Sequence, residues 1–322
     1  MKKILVTGAG GFMGRHVVRA LLQENKCNLI LTAKVDPGID FSVYSDFRYE
    51  PETFYDLDIM NRDAVFDLFK DKKIDTCIHL AALVDVENSI KRPDKTMDVN
   101  VKGTINVLDA CSRNHVDNFI FASSAAVYGH PVKLPIREDH QLVPISPYGK
   151  SKLIAERYVS SYMNSNKIRN TISLRIFNAY GEYCNISVMT KFAKRLSNGL
   201  APIIYGDGTQ KRDFISINDV VSAILLSVKA MDDRSERLLS TPSLIFNIGT
   251  GIGTSIQDLC DQMIRLSGLD LCPVFKKGNS KSDIKASCAD ITKAKTILKF
   301  VPRSNLKSDL HKLVTSMVTT QV

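Results

Sequence analysis

Short apolar runs alternate along the first half of the chain with segments in which apolar residues recur every three or four positions. Such runs are typical of buried strands, and the periodic segments indicate amphipathic helices. Because strands that alternate with helices form parallel sheets covered on both faces, we predict an α/β fold with a doubly wound parallel sheet. The predicted strands are 4–7, 29–32, 53–58, 76–80, 118–123 and 171–177, and the predicted helices begin near Arg15, Arg62, Pro93 and Pro147.

The pattern becomes less regular after residue 177. We therefore expect a first domain over 1–177 and a smaller C-terminal lobe formed mainly by 178–322. Segments near 210–230 and 244–250 are expected to be interleaved with the first domain. The elements predicted in this half are helices over 188–198 and from Asn218, a turn at 205–208, a strand at 244–248 and two further helices.

A glycine loop separates the first predicted strand from the first predicted helix. Gly8 permits a tight turn, Gly11 lets the backbone approach a ligand, and Gly14 allows close packing of the helix. The N-terminus of that helix offers N–H groups and a partial positive charge to an anion. The alternative is an ordinary Gly-rich turn, but the strand-loop-helix context favours a Rossmann dinucleotide-binding site.

Tyr148 and Lys152 lie four residues apart, which places them on one face of a predicted helix. A phenol has a pKa near ~10, and a neighbouring ammonium favours its ionised form. Ser124 follows the fifth predicted strand, at the sheet edge where doubly wound folds bind ligands. These residues predict hydride and proton transfer beside a nicotinamide. The alternatives are that Tyr148 and Lys152 have this spacing by chance and that Ser124 only caps a turn.

The composition is that of an ordinary globular protein: 322 residues, 44% hydrophobic and 24% charged, with a net charge of +9. The positive charge favours an anionic ligand or is simply a solvated surface, and no motif indicates nucleic-acid binding. No apolar run is long enough for a membrane span, and no signal peptide is expected. Seven scattered cysteines without a C-x-x-C pair favour reduced thiols in a cytoplasm and no metal site.

These motifs resemble, over almost the whole chain, the extended short-chain dehydrogenase/reductase family in its NAD-dependent epimerase/dehydratase branch. The resemblance implies a Rossmann domain with a smaller C-terminal substrate-binding lobe, and catalysis by Ser124, Tyr148 and Lys152. The positions matched to cofactor binding are Gly8, Gly11, Phe12, Met13, Gly14, Asp58, Ile59, Leu80, Ala81, Ala82, Asn100, Tyr148 and Lys152, and those matched to substrate binding are Ser124, Asn178, Arg212 and Ser287.

The resemblance also implies individual roles. Tyr148 is expected to take a proton from a sugar hydroxyl that Ser124 polarises. Arg212 is expected to bind the substrate diphosphate, for which a guanidinium is suited. Ser287 is expected on the wall that faces the sugar 2-substituent, where a small residue leaves room for an acetamido group. The late arginine that binds the diphosphate in many relatives has no clear equivalent, since its stretch carries lysines 276, 277 and 281.

Two departures from the family pattern bear on the reaction. Relatives that eliminate water carry an acidic pair after the catalytic serine, and here those positions are Ala125 and Ala126, which argues against a dehydratase. NAD-preferring relatives end the second strand with an acid. This strand ends in Lys34, with Asp36 beyond it, so NADP stays an alternative to NAD, held by Lys34 and Arg15.

We therefore predict a nucleotide-sugar 4-epimerase that acts on UDP-hexoses, including their 2-acetamido forms, with bound NAD. The alternative enzyme is an NAD(P)H-dependent 4-keto-sugar nucleotide reductase. A third hypothesis is a non-catalytic nucleotide sensor. The presence of Ser124, Tyr148 and Lys152 argues against it, because a sensor does not need these residues. By the same resemblance we expect a homodimer formed through two helices per subunit, over 93–113 and 147–162.

Overall fold

A seven-stranded parallel sheet runs through the centre of the molecule. The computed structural model describes residues 1–34, 54–70, 72–233, 244–277 and 284–319, with side chains as far as 315. The strands of this part of the chain are β1 (Lys2–Thr7), β2 (Cys27–Ala33), β3 (Phe54–Asp56), β4 (Thr76–His79), β5 (Asn118–Ser124), β6 (Asn170–Ile176), β7 (Asn178–Tyr180), β8 (Ile203–Tyr205), β9 (Lys211–Ser216), β10 (Ile245–Ile248), β11 (Gly253–Ser255), β12 (Val274–Lys276) and β13 (Ala286–Ser287).

The order of the strands in the central sheet is β10-β6-β5-β4-β1-β2-β3, with every neighbouring pair parallel. Read from β3 to β6, this is the 3-2-1-4-5-6 order of a doubly wound dinucleotide-binding sheet. The predicted α/β class and Rossmann sheet are confirmed.

Helices cover both faces of the sheet. The helices in the described residues are α1 (Phe12–Glu24), α2 (Arg62–Lys70), α3 (Val86–Lys91), α4 (Pro93–Met97), α5 (Thr104–Arg113), α6 (Pro147–Asn164), α7 (Val188–Ser197), α8 (Ile217–Asp232), α9 (Ile256–Ser267), α10 (Thr292–Ile297) and α11 (Leu306–Thr319). A π-helical turn, Asp98–Gly103, joins α4 to α5.

Strand residues of β1 show how the two faces are filled. Ile4 and Val6 pack into a core formed with α1 and α8, whereas Leu5, between them, packs into a core formed with α2, α5 and α6. Because successive side chains of a strand point to opposite faces, a continuous apolar run is what a strand buried on both sides requires.

A second sheet of short strands lies outside the central one. β9 is flanked by β11 and β13, and β7 also pairs with β9. A separate core, formed by side chains of α7, α9 and α11, packs beside it. β10 and α8 return to the central sheet, although they lie late in the chain. The division at residue 177 stays a prediction.

Several predicted boundaries moved. α1 begins at Phe12 instead of Arg15, directly at the glycine loop. The strands β7, β8, β9, β11, β12 and β13 were not predicted. All of them except β9 have only two or three residues, which are too few to show an alternating pattern. Asp36 and Lys281 lie outside the described residues.

Within the described chain, no helix combines the length and apolarity that crossing a bilayer requires.

Candidate active site

Ser124 and Tyr148 meet at the carboxyl end of β5. Ser124 is the last residue of β5, and its Oγ accepts a hydrogen bond from the N–H of Ala126 at 3.2 Å. α6 begins beside this turn, with the Ser146 hydroxyl capping the N–H of Gly149. The phenol of Tyr148, in the first turn of α6, is hydrogen-bonded to Ser124. The structure thus brings together two predicted catalytic residues that lie on different elements.

Burial is the main influence on the Tyr148 phenol. It raises the pKa of Tyr148, and the hydrogen bond to Ser124 opposes that rise without cancelling it. We expected Lys152 to lower the pKa of this phenol, and for the protein alone that expectation is wrong. A buried phenolate loses its hydration, and here no nearby cation outweighs that loss.

Lys152 lies one helical turn beyond Tyr148 and is 3% exposed. Its Nζ donates a hydrogen bond to the carbonyl oxygen of Ala122 at 2.8 Å and lies 4.9 Å from the centre of the Phe121 ring. Burial lowers the pKa of Lys152 to about 7. An ammonium has three donors, and Ala122 is its only hydrogen-bond acceptor within the described residues, so two donors remain for a ligand.

The glycine loop has the shape that a dinucleotide pyrophosphate needs. Gly8 has a φ of 70°, and a Cβ there would lie 2.7 Å from the backbone nitrogen of Ala81. A Cβ on Gly14 would overlap the carbonyl oxygen of Gly8, so this glycine is required by the loop itself. α1 begins after Gly11 with no side-chain cap and no acidic residue in its first turn. Its N-terminus is therefore suited to an anion, and the residues present fit the cofactor.

The remaining predicted cofactor residues of this loop pack beneath it. Phe12 and Met13, the first two residues of α1, are partly buried against the core on the α1 face. Ala82 follows Ala81 in the segment between β4 and α3. The glycine loop and this segment therefore face one another at the carboxyl edge of the sheet.

A buried chain of side chains connects the glycine loop to the loop after β4. Thr7 and His79 are paired in register, with Thr7 Oγ1 2.7 Å from His79 Nδ1, and His79 Nε2 lies 3.0 Å from Thr104 Oγ1. Thr104 Oγ1 donates its proton to the carbonyl of Asn100, so it must accept from Nε2–H of His79. Nδ1 then accepts from Thr7, whose oxygen in turn accepts the N–H groups of Leu80 and Ala81.

Burial, reinforced by the charge of Lys152, lowers the pKa of His79 to about 3 and keeps the imidazole neutral. The network therefore holds the loop after β4 without adding charge to the site. The sequence could have indicated this network only through Thr7 and His79, which lie at the ends of two neighbouring predicted strands. We had not assigned Thr7 or Thr104 a role.

Asn100 was predicted to bind the cofactor, and its amide is largely occupied by the protein. Its Oδ1 accepts the N–H of Leu83 at 2.7 Å, and its Nδ2 donates to Leu83 O and to Ser151 Oγ, both at 2.9 Å. Both amide hydrogens are used in this way. Asn100 therefore ties the loop after β4 to α6, which is a supporting position instead of a donor directed at a ligand.

Asp58 and Lys34 form an ion pair at the far end of the cofactor side, with 2.9 Å between Lys34 Nζ and Asp58 Oδ2. The other carboxylate oxygen accepts the N–H of Met60. Burial raises the pKa of Asp58, but the bonds from Lys34 and Met60 outweigh this and lower it overall. Ile59 is buried beneath, against Gly103. The charge of Lys34, which suggested NADP, is thus balanced by a neighbouring carboxylate.

Arg15, the other residue that suggested NADP, contacts the glycine loop and Tyr183. Its Nε donates to the carbonyl of Gly10 at 3.0 Å, and its guanidinium lies 5.0 Å from the centre of the Tyr183 ring. His16 contacts the same segment through the carbonyl oxygen of Glu182 at 3.0 Å. The residues that follow the glycine loop therefore join it to the segment after β7, a contact that we had not predicted.

The three predicted substrate-binding residues beyond Ser124 lie on the small sheet. Arg212 on β9 is the register partner of Ser287 on β13, and Asn178 on β7 is the partner of Phe214 on β9. Ser287 is buried, whereas Arg212 is half-exposed and donates to the carbonyl of Lys211 at 2.8 Å. The structure thus brings together residues that are separated by up to 109 positions (178 to 287).

Asp213, which we had not predicted, fastens this sheet. Its fully buried carboxylate accepts hydrogen bonds from the N–H and hydroxyl of Thr250 and from the N–H groups of Gly251 and Ala289, at 2.6–3.0 Å. Asn178 Nδ2 donates to the carbonyl of the same residue. One acid thus fixes three segments that carry or flank the substrate residues. Its only sequence signal was its place between Arg212 and Phe214.

The described side chains contain no group of three or more His, Cys, Asp or Glu residues arranged to hold a metal ion. All seven cysteines are free thiols.

Comparison with known proteins extends these observations. Residues 4–249 match the NAD dependent epimerase/dehydratase family. The UDP-glucose 4-epimerase of Lactobacillus helveticus is 33% identical over 96% of this chain and 94% of its own.

Two solved structures are similar over almost the whole chain. The UDP-glucose 4-epimerase of Thermus thermophilus, solved with NAD, is 26% identical, with a TM-score of 0.83 and 98% of each chain covered. The UDP-N-acetylglucosamine 4-epimerase of Methanobrevibacter ruminantium, solved with UDP-N-acetylmuramic acid, is 28% identical, with a TM-score of 0.84; 100% of this chain and 99% of that one are covered.

Proposed function

The chain belongs to the NAD dependent epimerase/dehydratase family, and from this membership we infer that it is a UDP-hexose 4-epimerase that uses NAD. The observation that carries the proposal is the contact of Ser124 with the Tyr148 phenol beside the buried Lys152. The match to a UDP-glucose 4-epimerase over nearly the whole length supports the same reaction. Ala125 and Ala126, next to Ser124, supply no acid for the elimination of water.

We assign the proton transfer to Tyr148. In the protein alone burial keeps this phenol protonated, and the positive charges of Lys152 and of a bound oxidised nicotinamide would favour its phenolate form. The phenolate would then take the proton of the sugar 4-hydroxyl while Ser124 donates a hydrogen bond to that oxygen, and the proton would return when the inverted hydroxyl forms. NAD, when bound, would supply the hydride acceptor for C4 of the sugar and, after reduction, the hydride donor to the other face of the ring. Lys152 would offer its two remaining donors to the nicotinamide ribose, and its positive charge would lie one helical turn from the phenol.

Cofactor binding follows the loops at the carboxyl edge of the sheet. We propose that Gly8, Gly11 and the N-terminus of α1 hold the pyrophosphate, and that the segment 80–82 lines the nicotinamide side. At the other end, Asp58 and the backbone of Ile59 face the adenine. The pairing of Lys34 with Asp58 removes much of the reason to expect a 2′-phosphate, which supports NAD over NADP.

On the substrate side we propose that Arg212 and Asn178 bind the diphosphate, while the sugar turns over to present its second face. Ser287 is small and buried at the register position opposite Arg212. We therefore propose that the pocket accepts a 2-acetamido group as well as a 2-hydroxyl. The likeness to a UDP-N-acetylglucosamine 4-epimerase supports this breadth.

Two further proposals concern the protein as a whole. We propose a homodimer through α4, α5 and α6, which pack beside one another and carry the exposed ring of Tyr158. Sedimentation of the purified protein tests it, and a monomer at micromolar concentration would contradict it. We also propose a cytoplasmic location, supported by the seven free thiols.

The test of the function needs no added cofactor. We expect purified protein to convert UDP-galactose to UDP-glucose, and the reverse, because the reaction has no net redox change and NAD stays bound. A reductase would instead require reduced cofactor and a 4-keto sugar nucleotide. Failure to convert any UDP-hexose, by protein shown after denaturation to contain NAD, would contradict the proposal.

A further inference from the structure

A buried ion pair lies behind the site, outside the residues assigned to the reaction. Glu156 is on α6, one turn beyond Lys152 and two beyond Tyr148, and Arg175 is on β6. The pair is bidentate: Arg175 Nη2 lies 2.7 Å from Oε1 and Nε 3.0 Å from Oε2. The two side chains are only 2% and 3% exposed.

The pair also holds the turn that carries Ser124, at both of its ends. Before the turn, the hydroxyl of Ser123 donates to Glu156 Oε2 at 2.7 Å. After the turn, Arg175 Nη1 donates to the Tyr128 hydroxyl at 2.9 Å, and that hydroxyl donates to Asn247 at 2.6 Å. The catalytic helix and the Ser124 turn are thus connected through a single carboxylate and guanidinium.

Stability alone is a poor reason for such a pair. Burying two charges costs free energy that their attraction only partly returns, and replacing a buried pair with neutral side chains of similar volume is often neutral or stabilising. What neutral side chains do not reproduce is the set of four directed bonds from Arg175, to Glu156 twice, to Tyr128 and to the carbonyl of Glu138. The fixed fork of a guanidinium defines distances and angles.

We propose that the Glu156–Arg175 pair is the positioning device of the reaction, which sets Tyr148 on α6 and Ser124 on its turn at the spacing where both bond one sugar oxygen. This inference rests on the proposed epimerase function. The pair does not touch the substrate. Its effect is therefore expected on kcat, since a displacement of about 1 Å costs up to ~100-fold in rate.

The decisive variant is the double substitution Glu156→Gln with Arg175→Met. Each single change leaves a buried partner without its complement and is expected to destabilise the fold. The double variant removes both charges and keeps the volume. We expect it to fold and to retain NAD, with kcat lowered roughly 10- to 100-fold and KM for UDP-galactose unchanged.

Tyr162→Phe is the matched control. It lies on the same helix and loses a hydrogen bond to Asp109, but it touches neither Ser123 nor Arg175. We expect its stability to fall and its kcat to stay at the wild-type value. If the double variant has wild-type kcat, or loses no more than Tyr162→Phe, the inference is overturned.

A crystal structure of the double variant separates this inference from the proposed function. We expect the hydrogen bond between Ser124 and Tyr148 to be broken. If wild-type protein does not epimerise UDP-hexoses, the function fails, while this contact still tests the positioning. An unchanged Ser124–Tyr148 contact in the double variant would overturn the inference even in an active epimerase.

Discussion

The catalytic side and the substrate side of the site are built on different supports. Tyr148 and Lys152 lie on an 18-residue helix, and Ser124 ends a seven-residue strand of the central sheet. Asn178, Arg212 and Ser287 lie on strands of three, six and two residues, fastened by the single carboxylate of Asp213. In our proposal the first side carries the proton and hydride chemistry, and the second side binds the diphosphate and faces the sugar 2-substituent.

This difference predicts that changes on the first side act on kcat and changes on the second act on KM and on substrate choice. The largest effect is expected for Tyr148→Phe. It removes the proton acceptor and keeps the ring, so we expect kcat to fall by ~10²–10⁴-fold with NAD binding intact. Steady-state kinetics and the NAD content after denaturation measure both. Near-normal turnover would exclude the assigned mechanism.

Ser287→Tyr should divide the substrates. A ring at this buried position fills the space next to the sugar 2-substituent, and overpacking excludes the larger ligand. We expect activity on UDP-N-acetylglucosamine to be abolished and activity on UDP-glucose to remain. If Ser287 were an ordinary loop serine, both activities would be unchanged. Wild-type protein that is inert toward acetamido sugars would refute the proposed breadth without a variant.

Arg212→Ala should weaken binding and spare the chemistry. A guanidinium bound to a diphosphate contributes charge-assisted bonds of about 1.5–3 kcal/mol, which corresponds to a rise in KM of roughly 10- to 100-fold. We expect kcat to change little. Arg212→Lys keeps the positive charge but loses the two-pronged guanidinium, and it serves as the control. Its KM should lie between those of the wild-type protein and Arg212→Ala. A loss confined to kcat would place Arg212 on the catalytic side instead.

The smallest effect concerns stability. Burial lowers the pKa of Lys152 to about 7. Below pH 7 the buried ammonium therefore reduces the free energy of unfolding. That reduction shrinks as pH rises from about 7 toward the ordinary lysine pKa near ~10.4. We expect Lys152→Met to raise the Tm of cofactor-free protein by roughly 5 °C at pH 6 and by less at pH 9. A lower Tm at pH 6 would show that the ammonium stabilises the fold.

The sequence predicted the catalytic side better than the substrate side, for a physical reason. Tyr148 and Lys152 are four residues apart on one helix, and Ser124 ends an apolar strand, so the local pattern places each of them, while the family resemblance assigns their roles. Arg212 and Ser287 become neighbours only through a two-residue strand. The pKa of Tyr148 was predicted in the wrong direction, because the sequence does not show how deeply a side chain is buried.

Buried polar partners were the other omission. Glu156 and Arg175 lie 19 positions apart on different elements, and nothing in either segment indicates that they face one another. Asp213 was not assigned a role, although its carboxylate binds two distant loops. Such contacts depend on tertiary packing, and the local pattern of apolar and polar residues does not predict them.

The central claim is that the hydride leaves C4 of the sugar and returns to C4 within one active site, and isotopic labelling tests it directly. UDP-galactose deuterated at C4 is incubated with the protein in ordinary water, without added cofactor, and the UDP-glucose formed is analysed by mass spectrometry and NMR. The account predicts that the deuterium is retained at C4, and that none passes to unlabelled sugar present in the same mixture. Loss of the label to solvent, or its exchange between sugar molecules, would contradict hydride return to C4 with a retained cofactor.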